Sequence, residues 1–279
     1  MAVIKAEGLS ERRSCCLVGL NRATYQYLPT PKDDAPIRER LRELAARKIR
    51  YGAPFLTILI RQELGAVNHK RIERIYREEG LQLPRKRRKG PKYERKMPLE
   101  AATRPNERWS MDFMSDALCD GRKFRTLNML DDFSRESVSI EVDTSISGDR
   151  VTRVLDRLAD MRGLPEVLVM DNGPEFTSKT MLIWAKLRGV RLHHIEPGKP
   201  NQNAFVESFN GTFRNECLNQ NWFLSIQEAR GIIEGWRVEY NAERPHSSLS
   251  KMTPVAFRRA FEMKRQDAII GRELSLSVA

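Results

Sequence analysis

Three carboxylates have the types and spacing to do chemistry. Asp171 opens Asp171-Asn172-Gly173-Pro174-Glu175-Phe176 directly after the apolar run Val167-Leu168-Val169-Met170, and 35 residues separate it from Glu207 in Asn203-Ala204-Phe205-Val206-Glu207-Ser208-Phe209-Asn210. Asp112 lies upstream in Trp109-Ser110-Met111-Asp112-Phe113-Met114. Hard oxygen donors on three separate elements suit divalent cations, and two such ions can activate a nucleophile and stabilise the leaving oxygen of a phosphodiester. Each acid also has an ordinary explanation. A strand followed by Asp-Asn-Gly is more often a structural turn, and a Glu on a polar helix face is normally just solvated. A carboxylate inside an apolar central strand needs a cation or hydrogen bonds to offset its desolvation. Asp116, Asp131 and Asp132 compete with Asp112, and Asp131-Asp132-Phe133-Ser134-Arg135 ranks second because it reads as a turn at a strand end.

The elements that must position these acids have an α/β texture. Strands are expected at Trp109–Met114, Lys123–Leu130, Ser137–Val142, Val167–Met170 and Arg191–Ile195, and helices at Gly148–Arg162, Thr177–Arg188 and Gln202–Leu218. The apolar Val167–Met170 suits a buried central strand. Asp171 would then stand at its carboxyl end, where open α/β sheets place ligands. Gly173 is expected to accept positive φ in the turn and Pro174 to fix the next dihedral. At about 100° per residue, Phe205, Val206, Phe209 and Phe213 share one helix face, while Asn203, Glu207, Asn210 and Arg214 lie roughly opposite. Trp222 and Trp236, with Ile232 and Ile233, are expected in core or interface packing on the C-terminal helix.

Charge points to the partner. The chain of 279 residues carries a net charge of +12, and residues 1–108 hold 26 Lys and Arg against 13 Asp and Glu. Such an excess implies a polyanion, most simply nucleic acid. Residues 1–84 read as helices, including Ser10–Tyr27 in two short pieces, one from Ile37, one from Pro54 to Leu64, and a basic one at Asn68–Arg77. Asn68, Lys70, Arg71 and Arg74 form a candidate helix-turn-helix recognition surface, with a solvated helix face as the plain alternative. A basic linker spans 85–108, where Arg85, Lys86, Arg87 and Arg88 suit phosphate contacts without sequence preference. Four cysteines and four histidines lack zinc-ligand spacing, and no run of about 18 apolar residues occurs. A soluble intracellular (cytoplasmic) protein, with no membrane partner, is expected.

These motifs together resemble a family. The Asp112, Asp171 and Glu207 segments are similar to the DDE triad of retroviral-type integrases and bacterial insertion-sequence transposases. Pro200 to Arg214, then Tyr240-Asn241-x-x-Arg244-Pro245-His246-x-x-Leu249 and Thr253-Pro254-x-x-Phe257, resemble the transposase branch, its second-frame (OrfB-type) products. The resemblance implies a ribonuclease-H-like core over 109–222, a mixed five-stranded sheet flanked by helices, preceded by the all-α helix-turn-helix-type region and followed by a helical extension, 223–279. It implies Asp112, Asp171 and Glu207 as catalytic ligands of Mg²⁺ or Mn²⁺, two ions being expected, and Arg214 as a DNA contact near the scissile phosphate, with Asn203 and Lys199 as further DNA contacts. Cleavage at element ends and 3′-OH strand transfer, a homo-oligomer on DNA and a first-frame (OrfA-type) partner follow from it. Two features depart from the pattern: Tyr51-Gly52 is followed by Ala53-Pro54-Phe55-Leu56 rather than basic residues, and the zinc domain of retroviral integrases has no counterpart. A ribonuclease-H-like nuclease, a DNA-binding relic and a subunit dependent on a larger assembly remain the competing functions. His246 reads as packing or DNA contact rather than a general base.

Overall fold

Apolar residues three and four apart build the N-terminal unit. The computed structural model describes residues 10–28, 33–84, 100–196 and 200–277. Arg85, Lys86, Arg87, Arg88 and Lys199 lie outside the described residues. Helices α1 (Glu11–Leu17) and α2 (Arg22–Gln26) are capped by the side chains of Ser10 and Asn21. Then α3 (Ala35–Arg47), α4 (Ala53–Leu64) and α5 (His69–Glu78) enclose Ile37, Leu41, Leu56, Ile60, Ile72 and Ile75. Pro54 sits in the first turn of α4, where its missing N–H costs no helical bond, and Gly65 ends that helix with a left-handed φ of 78°.

The sheet follows from strand alternation. β1 (Arg108–Ala117) is central, β2 (Lys123–Asp131) and β3 (Ser137–Asp143) extend the sheet antiparallel on one side, and after α6 (Gly148–Arg162) β4 (Val167–Met170) joins β1 in parallel. A second crossover, α7 (Lys179–Arg188), leads to β5 (Arg191–His194), completing the order β3-β2-β1-β4-β5. Trp109, Met111, Leu127 and Met129 pack on one face against Val151, Leu155 and Leu158 of α6 and Met181 of α7. Phe124, Leu130, Ile140 and Val142 pack on the other against α8 (Ala204–Glu216) and α9 (Ile226–Ala242). α10 (Pro254–Ser277) ends the described chain, and its Phe257 and Phe261 meet Phe133. Among the described residues no helix is long and apolar enough to cross a membrane.

Several expectations shift in detail. β1 runs to Ala117 rather than Met114, because its pairing with β2 continues to Ala117↔Lys123. Residues 103–108, expected in the linker, are bonded into the core: Asn106 N donates to Asp131 at 2.8 Å, and Arg108 pairs with Asp132 at 2.5 Å. Trp236 packs on Phe209, Phe213 and Tyr240, but Trp222 is 84% exposed, so it belongs to no packing face within the chain.

β3 is an outer strand, and one side chain closes its exposed end. Asn241 of α9 accepts from Ser137 N at 2.8 Å and donates to Ser137 O at 2.9 Å, copying a strand neighbour. Both partners are buried, and Ser137 O keeps a second donor, Arg237 Nη1 at 2.9 Å, so Asn241→Ala leaves the buried Ser137 N–H unmet. It should cost about 1–3 kcal/mol, read as a lower urea midpoint at unchanged slope. A midpoint equal to the parent's would show that the clasp is dispensable.

Candidate active site

Strand register brings two of the acids to one level. Ser110 pairs with Val169 across the parallel strands β1 and β4, and Asp112 and Asp171 each lie two residues further on. Asp171 therefore follows the carboxyl end of β4, and Asp112, midway along β1, stands level with it. Asp112 Oδ1 accepts from Phe113 N at 2.8 Å and Oδ2 from Asn210 Nδ2 at 2.7 Å. The Asn210 carbonyl in turn accepts from Asn128 at 2.6 Å, and Asn128 is the β2 residue directly opposite Asp112. A carboxylate on a central strand is thus steadied by two neutral amide groups.

The turn after β4 is built for Asp171. Its Oδ1 accepts from Gly173 N at 2.9 Å, while Asn172 donates to Ile195 O at 3.0 Å and ties the turn to the end of β5. Gly173 does not take the left-handed φ expected of it. Its constraint is space: a Cβ there would stand 3.0 Å from Asp171 Oδ1. Gly148 at the start of α6 is needed for the same reason, since a Cβ would stand 2.3 Å from Ser178 Oγ and 2.9 Å from Glu175 O. Glu175 pairs with Arg125 of β2, whose guanidinium lies 4.2 Å from the Phe113 ring centroid, and Phe113 stacks on Phe176 at 5.0 Å. The turn is held to β1 and β2 on both sides.

Glu207 reaches the same edge through its helix. Val206, Phe209 and Phe213 are buried against the sheet as expected, but Phe205 is only partly buried, beneath the Arg135 guanidinium at 3.4 Å. The opposite line is not a free rim. Asn203 donates to Met111 O at 3.3 Å, Asn210 to Asp112, and Arg214 to Asp116 at 3.0 Å and Ser115 O at 2.7 Å. One line of side chains along α8 follows β1 from Met111 to Asp116, and Glu207, between Asn203 and Asn210 on that line, is exposed beside Asp112. Asn210 was missed as a site residue; the signal was its i+3 spacing from Glu207.

Electrostatics separates these acids from their neighbours. Asp116, Asp132, Glu136, Glu141, Asp143 and Glu175 all pair with arginines. Asp131, the other rival, caps its turn by accepting from Phe133 N and Ser134 N. Asp112, Asp171 and Glu207 have no cationic side-chain partner among the described residues. Burial, with the charges of Asp171 and Glu207 adding to it, pushes Asp112 up to about 6. The protein beside its carboxyl raises Glu207 as well. Three oxygen-donor acids that lack a cation fit a divalent ion such as Mg²⁺ or Mn²⁺ by donor chemistry. Among the described residues no three such side chains stand close enough to hold an ion in this arrangement, so binding requires them to draw together.

Other candidates are placed differently. Arg71 and Arg74 both clasp Asp34, at 2.6 Å each, and Arg74 also meets Glu78 at 2.8 Å; Lys70 is exposed. Asn68 caps α5, its side chain accepting from Lys70 N at 3.0 Å. Asn203 is 3% exposed. The arginine pairs, the Asn68 cap and the buried Asn203 amide serve the fold here, and contact with DNA by these side chains would have to compete with it, whereas the exposed Lys70 side chain would not. His246 is buried edge-on against Tyr240 at 4.8 Å, and burial, then Arg244 and Arg135, push it down to about 3. So weak a base does not suit proton abstraction.

Two pH experiments follow. Asp112 is raised above its ordinary 3.8, so its contribution favours the fold below about pH 4 and is lost as the pH rises through about 6. In chelator, Asp112→Asn should stabilise the protein at pH 8 by about 1–2 kcal/mol, a few degrees of melting temperature, and much less at pH 5; equal shifts at both would contradict the assignment. His246 is depressed below its ordinary 6.5, so it contributes stability above that value that is lost as the pH falls toward about 3. Its ring proton resonances should stay unmoved between pH 8 and pH 5; a midpoint in that window would refute the buried neutral state.

Comparison with known proteins places the chain's domains in known families. Integrase core domain families match residues 102–200 and 188–254, and an HTH-like domain matches residues 31–89. The chain is 49% identical over 253 residues to the insertion element IS476 uncharacterized 39.2 kDa protein of Xanthomonas euvesicatoria, across 89% of this chain and 72% of that one. It is 46% identical over 258 residues to the insertion element IS407 uncharacterized 31.7 kDa protein of Burkholderia multivorans, across 92% and 93%. A chain of the simian T-cell lymphotropic virus intasome, solved in complex with PP2A regulatory subunit B56 gamma, shares the fold with a TM-score of 0.51 at 16% identity, over 78% of this chain and 74% of that one. With an HTH-like domain ahead of a retroviral-integrase-like core of ribonuclease-H type, the chain belongs to the bacterial insertion-sequence transposase family.

Proposed function

We propose that the protein is a DDE-type polynucleotidyl transferase that cleaves DNA at the ends of its insertion element and joins the freed 3′-hydroxyl to another strand. The observation that supports this reading is that Asp112, Asp171 and Glu207, from three elements, lie near enough for the charges of the last two to act on the first, each without a cationic partner among the described residues. Bound Mg²⁺ or Mn²⁺, two ions on this reading, would supply Lewis-acid stabilisation of the phosphoryl oxygens. The protein's own share is positional. Asn210 keeps Asp112 oriented, Gly173 N holds one Asp171 oxygen, and Arg125 with Glu175 keeps the Asp171 turn in place. In the first step water attacks phosphorus and the element's 3′-oxygen leaves. In the second that 3′-oxygen attacks a target phosphorus and the target's 3′-oxygen leaves, with no covalent protein intermediate.

DNA is the proposed partner, engaged by the N-terminal helical unit with Lys70 exposed on α5, and by the basic stretch Arg85–Lys89 in a linker to the core. Lys199 and Arg214 would then approach the scissile phosphate, Arg214 after exchanging Asp116 for DNA. A homo-oligomer on DNA and an upstream-frame product are the proposed protein partners.

The test is Asp171→Asn with a duplex carrying the element's terminal repeats. End cleavage and strand transfer should fall at least about a thousandfold, the loss of several kcal/mol of transition-state stabilisation, while end binding in a gel-shift assay stays within about twofold. Strand transfer retained by that variant would overturn the assignment. Cleavage of RNA–DNA hybrids by the parent chain without strand transfer would favour a ribonuclease-H-type nuclease.

A further inference from the structure

The segment Tyr240-Asn241-x-x-Arg244-Pro245-His246 has no part in the proposed chemistry, yet its polar groups are mostly buried. Asn241 closes β3. Arg244 has a different set of partners: its Nε and Nη2 donate to the two oxygens of Glu216 at 2.8 and 2.7 Å, and the two side chains are only 14% and 12% exposed. Glu216 is the last residue of α8, the helix that carries Glu207. A two-pronged guanidinium–carboxylate pair fixes angle as well as distance, so the end of α8 is locked to the loop that follows α9.

The rest of the Arg244 guanidinium is covered by aromatic rings from both halves of the protein. Its carbon lies 5.8 Å from the ring centroid of Tyr240 in the core, and 5.8 and 5.4 Å from those of Tyr51 and Phe55 in the N-terminal unit. Tyr51 and Phe55 meet edge to face at 5.6 Å where α4 begins. Lys48, just before them, pairs with Glu239 of α9. The cleft between the halves is lined by residues of both, among them Arg47, Tyr51, Glu216, Trp236, Tyr240 and Arg244.

An ion pair under aromatic cover is stronger than the same pair in water, because the local dielectric is lower and water cannot compete. Lifting Tyr51 and Phe55 away would wet the Arg244–Glu216 pair and loosen its hold on α8. That helix is otherwise tied to β1 by three hydrogen-bonded side chains, Asn203, Asn210 and Arg214, so a looser end changes where Glu207 stands.

We infer that Arg244 is a positioning residue which, through Glu216, makes the seating of the Glu207 helix depend on the docking of the N-terminal helical unit against the core. The catalytic consequence rests on the function proposed above; the mechanical link rests on the contacts alone. If the N-terminal unit holds an element end, the link reports that engagement to the active site.

Amide hydrogen exchange of the full-length chain tests the link without DNA or metal. Phe55→Ala and Lys48→Ala remove contacts from the N-terminal side, Phe55 sharing a cleft with Phe205, Ser208, Phe209 and Thr212 of α8 and Lys48 lying near Glu216, so the double variant with Arg244→Lys decides whether their effect runs through Arg244; Arg244→Lys keeps the charge but loses the two-pronged pair. Exchange in peptides from 204–216 should quicken about tenfold in Phe55→Ala and in Arg244→Lys, and the double variant should exceed neither by much, since both break one linkage. Lys48→Ala should act in the same direction and serves if Phe55→Ala unfolds its own unit. Unchanged protection of 204–216 in both N-terminal variants, or strictly additive effects, would overturn the inference, leaving Arg244 a local brace. In strand-transfer assays the same variants should lower the rate with end binding intact. Quickened exchange without any strand transfer by the parent chain would count against the proposed function and for the link.

Discussion

Two parallel strands in register carry their side chains to the same end of a sheet, and the site depends on this constraint. Pairing of Ser110 with Val169 sets Asp112 and Asp171 at one level. Parallel pairing in turn requires the crossover α6, which packs Val151, Leu155 and Leu158 beneath the sheet and leaves the other face to α8. A one-residue slip would turn Asp112 onto the face occupied by Trp109 and Met111. The apolar cores are therefore also the devices that aim the carboxylates.

Around that edge the protein divides its acids by partner. Carboxylates that serve the fold are matched with arginines, as in Asp132 with Arg108 and Glu175 with Arg125. Asp112 receives only amides from Phe113 and Asn210, which orient it without neutralising it. The result is a group of acids with no cationic partner among the described residues, which a bound cation would stabilise. Such a site is less stable alone than an apolar or paired one would be.

The N-terminal unit neutralises its own basic surface in part, since Asp34 holds both Arg71 and Arg74. Its contact with the core runs instead through Tyr51, Phe55 and Lys48, which lie on α4 and the segment before it. On the proposed function, DNA contact and docking would use different residues of the same small helical bundle. One unit could then hold DNA while still docked on the core.

Strand and helix order, the crossovers, the placement of Asp171 after β4 and the packing face of α8 were legible in the sequence, because each rests on local periodicity. The helical wheel misjudged Asn210: polarity suggested a solvated side, whereas a desolvated Asp112 demands a polar partner indoors. Gly173 was judged by dihedral preference when the limit is the space beside Asp171. For Trp222 the core alternative fails, because nothing in a window of neighbours tells which side of a connection faces water. Arg71 and Arg74 looked free because Asp34 is some 37 and 40 residues away. The sequence by itself determined which elements form and which acids lack a local explanation. Only the tertiary structure decided which polar group meets which, since the decisive pairs, Asn210 with Asp112 and Arg214 with Asp116, each join residues 98 apart.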